Sequence, residues 1–134
     1  RHDNPDYLPI SHKDEMIDFI LAKQAVKESV KRHVGHIEPY YTSMGMMYYQ
    51  TGKNLHDVDL VIGTGGVIIN SENKWQILEE TLSESELDLR PKAPKFAIDK
   101  DYILSAMGLL ATIDKNLALR LMKKHIKMRD ENDT

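Results

Sequence analysis

The chain has 134 residues, of which 41% are hydrophobic and 29% charged, enough for one globular domain with a sizeable core and too few for two. Its 18 basic and 21 acidic side chains give a formal charge of −3, which argues against general binding of nucleic acid or of anionic membranes. Because there is no cysteine, disulfides and thiolate metal sites are excluded, and a cytoplasmic location is expected.

The sequence also bears on membrane insertion, on targeting and on the extent of the chain. All apolar runs fall far short of the roughly 20 residues of a membrane span, and the N-terminus lacks a signal-peptide core. The first residue is Arg1 rather than methionine, so we expect residues 1–134 to be a single-domain fragment of a longer protein. Residues 1 to about 12 are interpreted as a polar leader or as the tail of a preceding element, without chemistry of their own.

A long amphipathic helix is predicted next. Apolar residues from Lys13 to His33 recur at the spacing of one helix face. Ser11 and Asp14 have the spacing of a reciprocal N-terminal cap, and Gly35 is expected to end the helix. Two histidines flank this glycine, and they are expected to complement the helix dipole rather than to hold a metal.

A β-hairpin is predicted over residues 36–51, with its turn at Ser43-Met44-Gly45. Strand side chains alternate between faces, so its tyrosines occupy both faces and one face is expected to be exposed. The segment contains no lysine or arginine, which argues against stacking on nucleobases. Contact with a partner protein or cross-strand packing is favoured instead.

The stretch from Asp59 to Asn70 is the one around which the chain is organised. Its apolar run Leu60-Val61-Ile62 does not alternate, which is typical of a strand covered on both faces in an α/β sheet. Glycines at three of the next four positions, 63, 65 and 66, indicate a tight turn or a close approach to a ligand. With a helix expected to open at Asn70 and Ser71, the turn could present N–H groups to a phosphate or nucleoside, or could simply connect two elements.

The second half is predicted to contain a helix, a loop, a strand and two helices. These cover 72–82, 83–95, 96–98, 102–113 and 114–125. Trp75 is assigned to the core, the loop to solvent, and Asp99 to a helix cap, while Ala106 and Gly108 are expected to allow close helix packing. With only two buried strands expected, the sheet should be incomplete without further strands or a partner chain, and the acidic tail after Arg129 should fray.

Two common glycine motifs do not fit the turn. A Walker A loop requires a lysine and a hydroxyl residue after its last glycine, but Val67 and Ile68 follow Gly66. A dinucleotide fingerprint starting at Gly63 and Gly65 would require glycine at Ile68. Nucleophile-elbow and zinc-protease motifs are also absent, so we predict no catalytic residue and no metal ligand.

Two separated stretches, Asp59–Ile68 (DLVIGTGGVI) and Leu89–Leu110 (LRPKAPKFAIDKDYILSAMGLL), carry a family resemblance. In order and spacing they resemble the C-terminal part of the glutamate (methylaspartate) mutase accessory protein of the MutL/GlmL type. This is not the mismatch-repair protein that shares the name. The similarity extends from about Ala25 to Ile126.

The resemblance implies an α/β fold, namely the C-terminal, second-domain portion of an ASKHA (acetate and sugar kinase/Hsc70/actin) domain, with a β-hairpin and helices packed on a small sheet. It implies that Gly63, Thr64, Gly65 and Gly66 contact the adenosine of ATP or ADP, bound with Mg²⁺ in the longer parent protein. The helix with Ala106-Met107-Gly108 would lie behind that turn. Neither a metal nor cobalamin would be bound directly by this fragment.

The implied function is that of a nucleotide-binding, chaperone-like accessory factor that assembles or reactivates an adenosylcobalamin-dependent mutase, with the mutase subunits as partners. The family's phosphate loop and Mg²⁺-positioning acidic residues have no counterpart here. Because phosphoryl transfer needs that charge stabilisation, the fragment alone is not expected to hydrolyse ATP.

Two alternatives remain open. The chain could be an interaction module that binds no nucleotide and uses its hairpin to contact mutase subunits or to form a homo-oligomer. The glycines could also serve backbone geometry alone.

Overall fold

The computed structural model describes residues 9–130 and residue 133. This part of the chain is an α/β protein with two small sheets, which confirms the predicted class. The elements are α1 (His12–His33), β1 (His36–Thr42), β2 (Gly45–Thr51), β3 (Leu60–Gly63), α2 (Gly66–Asn70), α3 (Lys74–Glu79), β4 (Lys95–Asp99), α4 (Leu104–Leu110), α5 (Lys115–His125) and β5 (Ile126–Met128). Most of the predicted leader, and residues 131, 132 and 134 of the predicted frayed tail, lie outside the described residues.

Helix α1 begins with the predicted cap and ends at His33, as predicted. The Ser11 hydroxyl accepts a hydrogen bond from the Asp14 N–H, and the Asp14 carboxylate accepts one from the Ser11 N–H, both at 3.2 Å. Gly35 is not a terminating glycine of the usual kind, because its φ is not positive and its N–H donates to the Lys53 carbonyl oxygen at 2.8 Å. Gly35 serves a close approach instead, because a Cβ at this position would overlap the carbonyl oxygen of Thr51 at the end of the hairpin.

Strands β1 and β2 form the predicted hairpin. They pair antiparallel from His36 opposite Thr51 to Thr42 opposite Gly45, which leaves Ser43 and Met44 as the turn. We predicted one exposed face, but both faces are exposed, since every residue of β2 and the tyrosines of β1 are exposed. The hairpin is therefore a ribbon with solvent on both faces.

The core lies between α3 and the second sheet. Four buried side chains form its centre: Trp75, Leu78, Phe96 and Ile98. Strand β4 is the middle strand, parallel to β3 and antiparallel to β5. The core position of Trp75 is confirmed, but the prediction that β3 is covered on both faces is wrong. As an edge strand with β4 as its one sheet neighbour, β3 leaves Leu60 40% exposed.

The predicted helix over 72–82 is shorter in the structure, where α3 covers Lys74–Glu79, and a separate short helix, α2, precedes it. Helix α2 already begins at Gly66, directly after the glycine turn, and ends before Ser71. The Ser71 hydroxyl accepts a hydrogen bond from the Asn73 N–H at 3.2 Å. This local side-chain bond competes with helical pairing, which explains why the helix is interrupted and resumes as α3.

The loop between α3 and β4 is not solvated as predicted. Buried positions in it are Leu89, Arg90, Pro91 and Pro94. The Arg90 side chain is 1% exposed, and its guanidinium donates to both Asp88 carboxylate oxygens at 2.6 to 3.0 Å and to the Glu80 carbonyl oxygen at 3.0 Å. A buried arginine with these partners fastens the loop to the end of α3.

Strand β5 was not predicted. It is three residues long and is followed by Arg129, whose N–H donates to the Phe96 carbonyl oxygen at 2.9 Å. The Arg129 guanidinium lies 5.8 Å from the Trp75 ring centre and 5.9 Å from that of Phe96, and it pairs with Glu79 at 2.7 Å. These contacts fix the end of the sheet to the core.

Of the two C-terminal helices, α4 is shorter than predicted, whereas α5 has the predicted extent. Helix α4 begins at Leu104 rather than at Tyr102 and has no buried residue. A Cβ built on Gly108 would have nothing within 4 Å, so the expected close packing at this glycine is wrong for this chain. The start of α5 is as predicted, since the Asp114 carboxylate accepts a hydrogen bond from the Leu117 N–H at 2.9 Å.

Candidate functional site

The glycine turn lies where two parallel strands end. Gly63, the last residue of β3, is aligned with Ile98 of β4, so the chain leaves the sheet next to Asp99. In open α/β sheets, ligands bind outside the carboxyl ends of the parallel strands. The sequence-predicted residues Gly63, Thr64, Gly65 and Gly66 are therefore at the edge where a ligand is expected.

The four predicted site residues have different environments. Gly63 is buried, and a Cβ there would lie 2.9 Å from the Leu78 Cδ2 and 3.0 Å from the Ile68 Cγ2. Its missing side chain lets α2 and α3 pack against the end of β3. Thr64 and Gly66 are exposed, so the accessible part of the predicted site is Thr64-Gly65-Gly66.

Gly65 gives the turn its shape. Its φ is +101°, a backbone conformation that side chains strongly disfavour, and a Cβ at this position would meet nothing within 4 Å. The backbone at Gly65 is therefore open to a ligand. Any substitution here is expected to act through backbone conformation and through obstruction of that open space.

Asp99 orders the neighbouring strand end. This residue is 1% exposed, and its carboxylate oxygens accept hydrogen bonds from the Ile103 N–H at 3.0 Å and the Leu104 N–H at 3.1 Å. Asp99 is not the N-cap residue, which is Ile103, but its carboxylate does serve the N–H groups at the start of α4. It does so across three intervening residues, Lys100 to Tyr102.

Tyr102 is the residue that sequence reasoning missed. It has a φ of +54°, the one positive value found for a non-glycine residue in the described part of the chain, and is 51% exposed. Its hydroxyl lies 3.3 Å from where a Cβ on Gly66 would be. The residue in the sequence that could have indicated this position is Asp99. Its carboxylate accepts from N–H groups four and five residues later, which requires a loop between Asp99 and the start of α4.

The arrangement offers backbone groups and an aromatic ring rather than acid–base chemistry. The Asp99 carboxylate is already engaged by two N–H groups. Over residues 9–130 and 133, no three histidine or acidic side chains are grouped so as to hold a metal ion. Nor does any helix in that part combine the length and apolar content needed to cross a membrane.

A cavity of about 460 Å³ lies away from the turn, between α1 and α3. Its acidic side chains are already paired: Glu80 with Lys23 at 2.8 Å, Glu79 with Arg129 at 2.7 Å, and Glu84 with Lys27. The cavity is therefore an ion-paired junction that holds α1 on α3, and it presents no free charge to a ligand.

Comparison with known proteins identifies the family. The family model described as "MutL protein" matches residues 1–126. The chain belongs to the MutL protein family. It is 44% identical over 121 residues to Protein MutL of Clostridium tetanomorphum, an alignment that covers 89% of this chain and 26% of that protein.

These findings confirm the resemblance drawn from the sequence. The chain spans about a quarter of the MutL relative from Clostridium tetanomorphum, at 26% of its length. No solved structure matches the chain. The family is thus established by sequence similarity.

Proposed function

We propose that this chain forms the adenosine side of a nucleotide-binding cleft in a MutL-type accessory protein. The longer parent protein would assemble or reactivate an adenosylcobalamin-dependent glutamate mutase. The observation that carries the proposal is the open turn at Gly65, at the carboxyl ends of parallel strands, with the Tyr102 hydroxyl beside the adjoining Gly66. It agrees with an ASKHA-type C-terminal portion, in which such a turn contacts adenosine.

Each residue of the turn has a distinct part in this proposal. The backbone of Thr64, Gly65 and Gly66 approaches the nucleoside, because no side chain at positions 65 and 66 keeps it away. Tyr102, half-exposed beside Gly66, offers a ring face to the base. Gly63 keeps the strand end packed on the core. The phosphates of ATP or ADP and their Mg²⁺ are held by residues of the parent outside this chain.

Calorimetric titration of Mg-ATP into the parent protein tests the assignment. Gly65→Val is expected to weaken binding at least about tenfold, because the branched side chain disfavours the φ of +101° and fills the open space. Gly45→Val is the matched control, since Gly45 has a φ of +119°, also has nothing within 4 Å of its Cβ position, and lies in the hairpin at the start of β2. Equal affinity in the two variants contradicts the proposal.

A second candidate is an interaction module that contacts the mutase subunits through the hairpin and binds no nucleotide. It is favoured by the exposure of tyrosines and methionines on both faces of the ribbon. Capture of mutase subunits by the parent is expected to fall at least about fivefold with the paired substitutions Met46→Ala and Tyr48→Ala. Unchanged capture by this double variant rules out the hairpin as the contact.

A further inference from the structure

The two outer edges of the hairpin ribbon differ in composition. Within residues 9–130 and 133, this sheet consists of β1 and β2, so each strand has one edge without a neighbour from that part of the chain. Exposed strand edges pair readily with other strands, and proteins block them with proline, charge or short length. Strand β1 contains Glu38 and Pro39, whereas β2, seven residues long, contains neither a charged residue nor a proline.

The outer strands of the other sheet are shorter. Strand β3 has four residues and β5 has three, against seven in β2. Short edges offer few backbone hydrogen bonds, and β2 combines the longest edge with the absence of any blocking residue. Its residues are Gly45, Met46, Met47, Tyr48, Tyr49, Gln50 and Thr51, all of them exposed.

We propose that the β2 edge pairs with β2 of a second copy of the chain, antiparallel about a two-fold axis, to give a four-stranded ribbon. An antiparallel pair of identical strands satisfies two-fold symmetry directly, so every hydrogen bond of one copy is repeated by the other. The inference goes beyond the proposed nucleotide site and does not depend on it.

The side chains of β2 suit a register centred on Tyr48. In this register Tyr48 lies opposite its own copy, Met47 lies opposite the partner's Tyr49, and Met46 lies opposite the partner's Gln50. Thioether–aromatic contacts are favourable, and aromatic residues directly opposite each other stabilise strand pairs. No like charges meet, because β2 has no charge. A second copy is therefore a complementary occupant of this edge.

The size of the contact sets its strength. Pairing one seven-residue edge buries less than the roughly 800 Å² per partner of a standard interface. The dimer is therefore a weak one that dissociates in the micromolar range. Its presence is accordingly measured as a function of protein concentration.

Sedimentation velocity of the full-length parent, from about 1 to 200 µM, tests the proposal. The wild type shows a reversible monomer–dimer equilibrium, and Tyr48→Lys raises the dimer dissociation constant at least about tenfold, because two ammonium groups meet at the axis. Tyr41→Lys is the matched control on β1. Tyr41 is 78% exposed against 54% for Tyr48, and its substitution leaves the constant within about twofold.

Variants with opposite charges at position 48 distinguish loss of strand pairing from damage to the hairpin. Tyr48→Lys and Tyr48→Glu are each monomeric alone, and their mixture dimerises, since opposite charges then meet at the axis. The proposal is overturned if the wild type stays monomeric over the whole range, if Tyr41→Lys disrupts the dimer as strongly as Tyr48→Lys, or if the mixture stays monomeric. A monomeric wild type that captures mutase subunits through the hairpin also overturns it.

Discussion

Replacing Arg90 with methionine is expected to lower the free energy of unfolding by about 3 kcal/mol, because it removes one partner of a buried ion pair. Arg90 is 1% exposed and donates hydrogen bonds to the Asp88 carboxylate and to the Glu80 carbonyl oxygen. Methionine fills similar volume but offers no donor. Both acceptors then lose a partner in a region with limited access to water.

The loss of unfolding free energy in Arg90→Met depends on pH. Burial raises the pKa of Asp88, but hydrogen bonds from the Arg90 side chain and from the Glu84 and Arg90 N–H groups outweigh it and lower the pKa from 3.8 to about 2. Since the folded pKa is below the unfolded one, the stabilisation is complete above pH 3.8 and is lost as the pH falls through about 2. The stabilisation that corresponds to the lowered pKa of Asp88 is at most about 2 kcal/mol, because solvent screens a carboxylate that is 18% exposed.

Urea unfolding at pH 7 and at steps down to pH 2 measures both effects. The difference between wild type and Arg90→Met should be about 3 kcal/mol at pH 7 and should narrow towards pH 2. Lys92→Met is the control, because Lys92 pairs with Glu86 in the same loop at 2.9 Å but is 43% exposed, and it should cost less than about 1 kcal/mol. Equal losses in the two variants would show that Arg90 is not a buried anchor.

Replacing Asp99 with alanine is expected to cost about 2 kcal/mol and to disorder the loop that carries Tyr102. The buried carboxylate accepts from the N–H groups of Ile103 and Leu104, and loss of a charged acceptor leaves both donors without this partner. With the carboxylate removed, the strained φ of +54° at Tyr102 is supported by fewer hydrogen bonds, the one from the Tyr102 N–H to the Asp99 carbonyl oxygen at 3.3 Å remaining. The substitution therefore affects the candidate site as well as the stability.

Amide hydrogen exchange locates this effect. In Asp99→Ala, exchange at Ile103 and Leu104 should accelerate at least about tenfold more than exchange in α1. Asp101→Ala is the control, because the Asp101 carboxylate is exposed and pairs with His125 at 2.8 Å rather than with the start of α4. Uniform acceleration over the whole chain in Asp99→Ala would contradict a local role for the cap.

Elements with a local signal were predicted well from the sequence. Helix α1 has its capping pair and periodic apolar positions, the hairpin has a glycine turn between matched strands, and α5 has Asp114 as its cap. What could not be predicted depends on partners distant in sequence. The burial of Arg90 depends on Glu80 and on packing against α3, and β5 is three residues that become a strand only beside β4.

The candidate site also contains residues that local sequence predicts and residues whose place depends on distant parts of the chain. The glycine turn and the Asp99 cap were predicted because glycine and buried carboxylates have strong local preferences. Which glycine serves the core could not be predicted, because only the folded chain places Leu78 and Ile68 against Gly63 and gives Gly65 its positive φ. The place of Tyr102 was missed because its apolar ring fits a helical pattern, and the cap that keeps it outside α4 acts through space.

The order of the strands also affects how the chain folds during synthesis. Strand β4, the middle of its sheet, is translated before its neighbour β5, and residues 100–125 separate them. At roughly 5–20 residues per second, one edge of this apolar strand stays unpaired on the ribosome for on the order of seconds. This three-stranded sheet is complete only when Ile126–Met128 emerge and Arg129 reaches Trp75, so its closure follows the synthesis of α4 and α5.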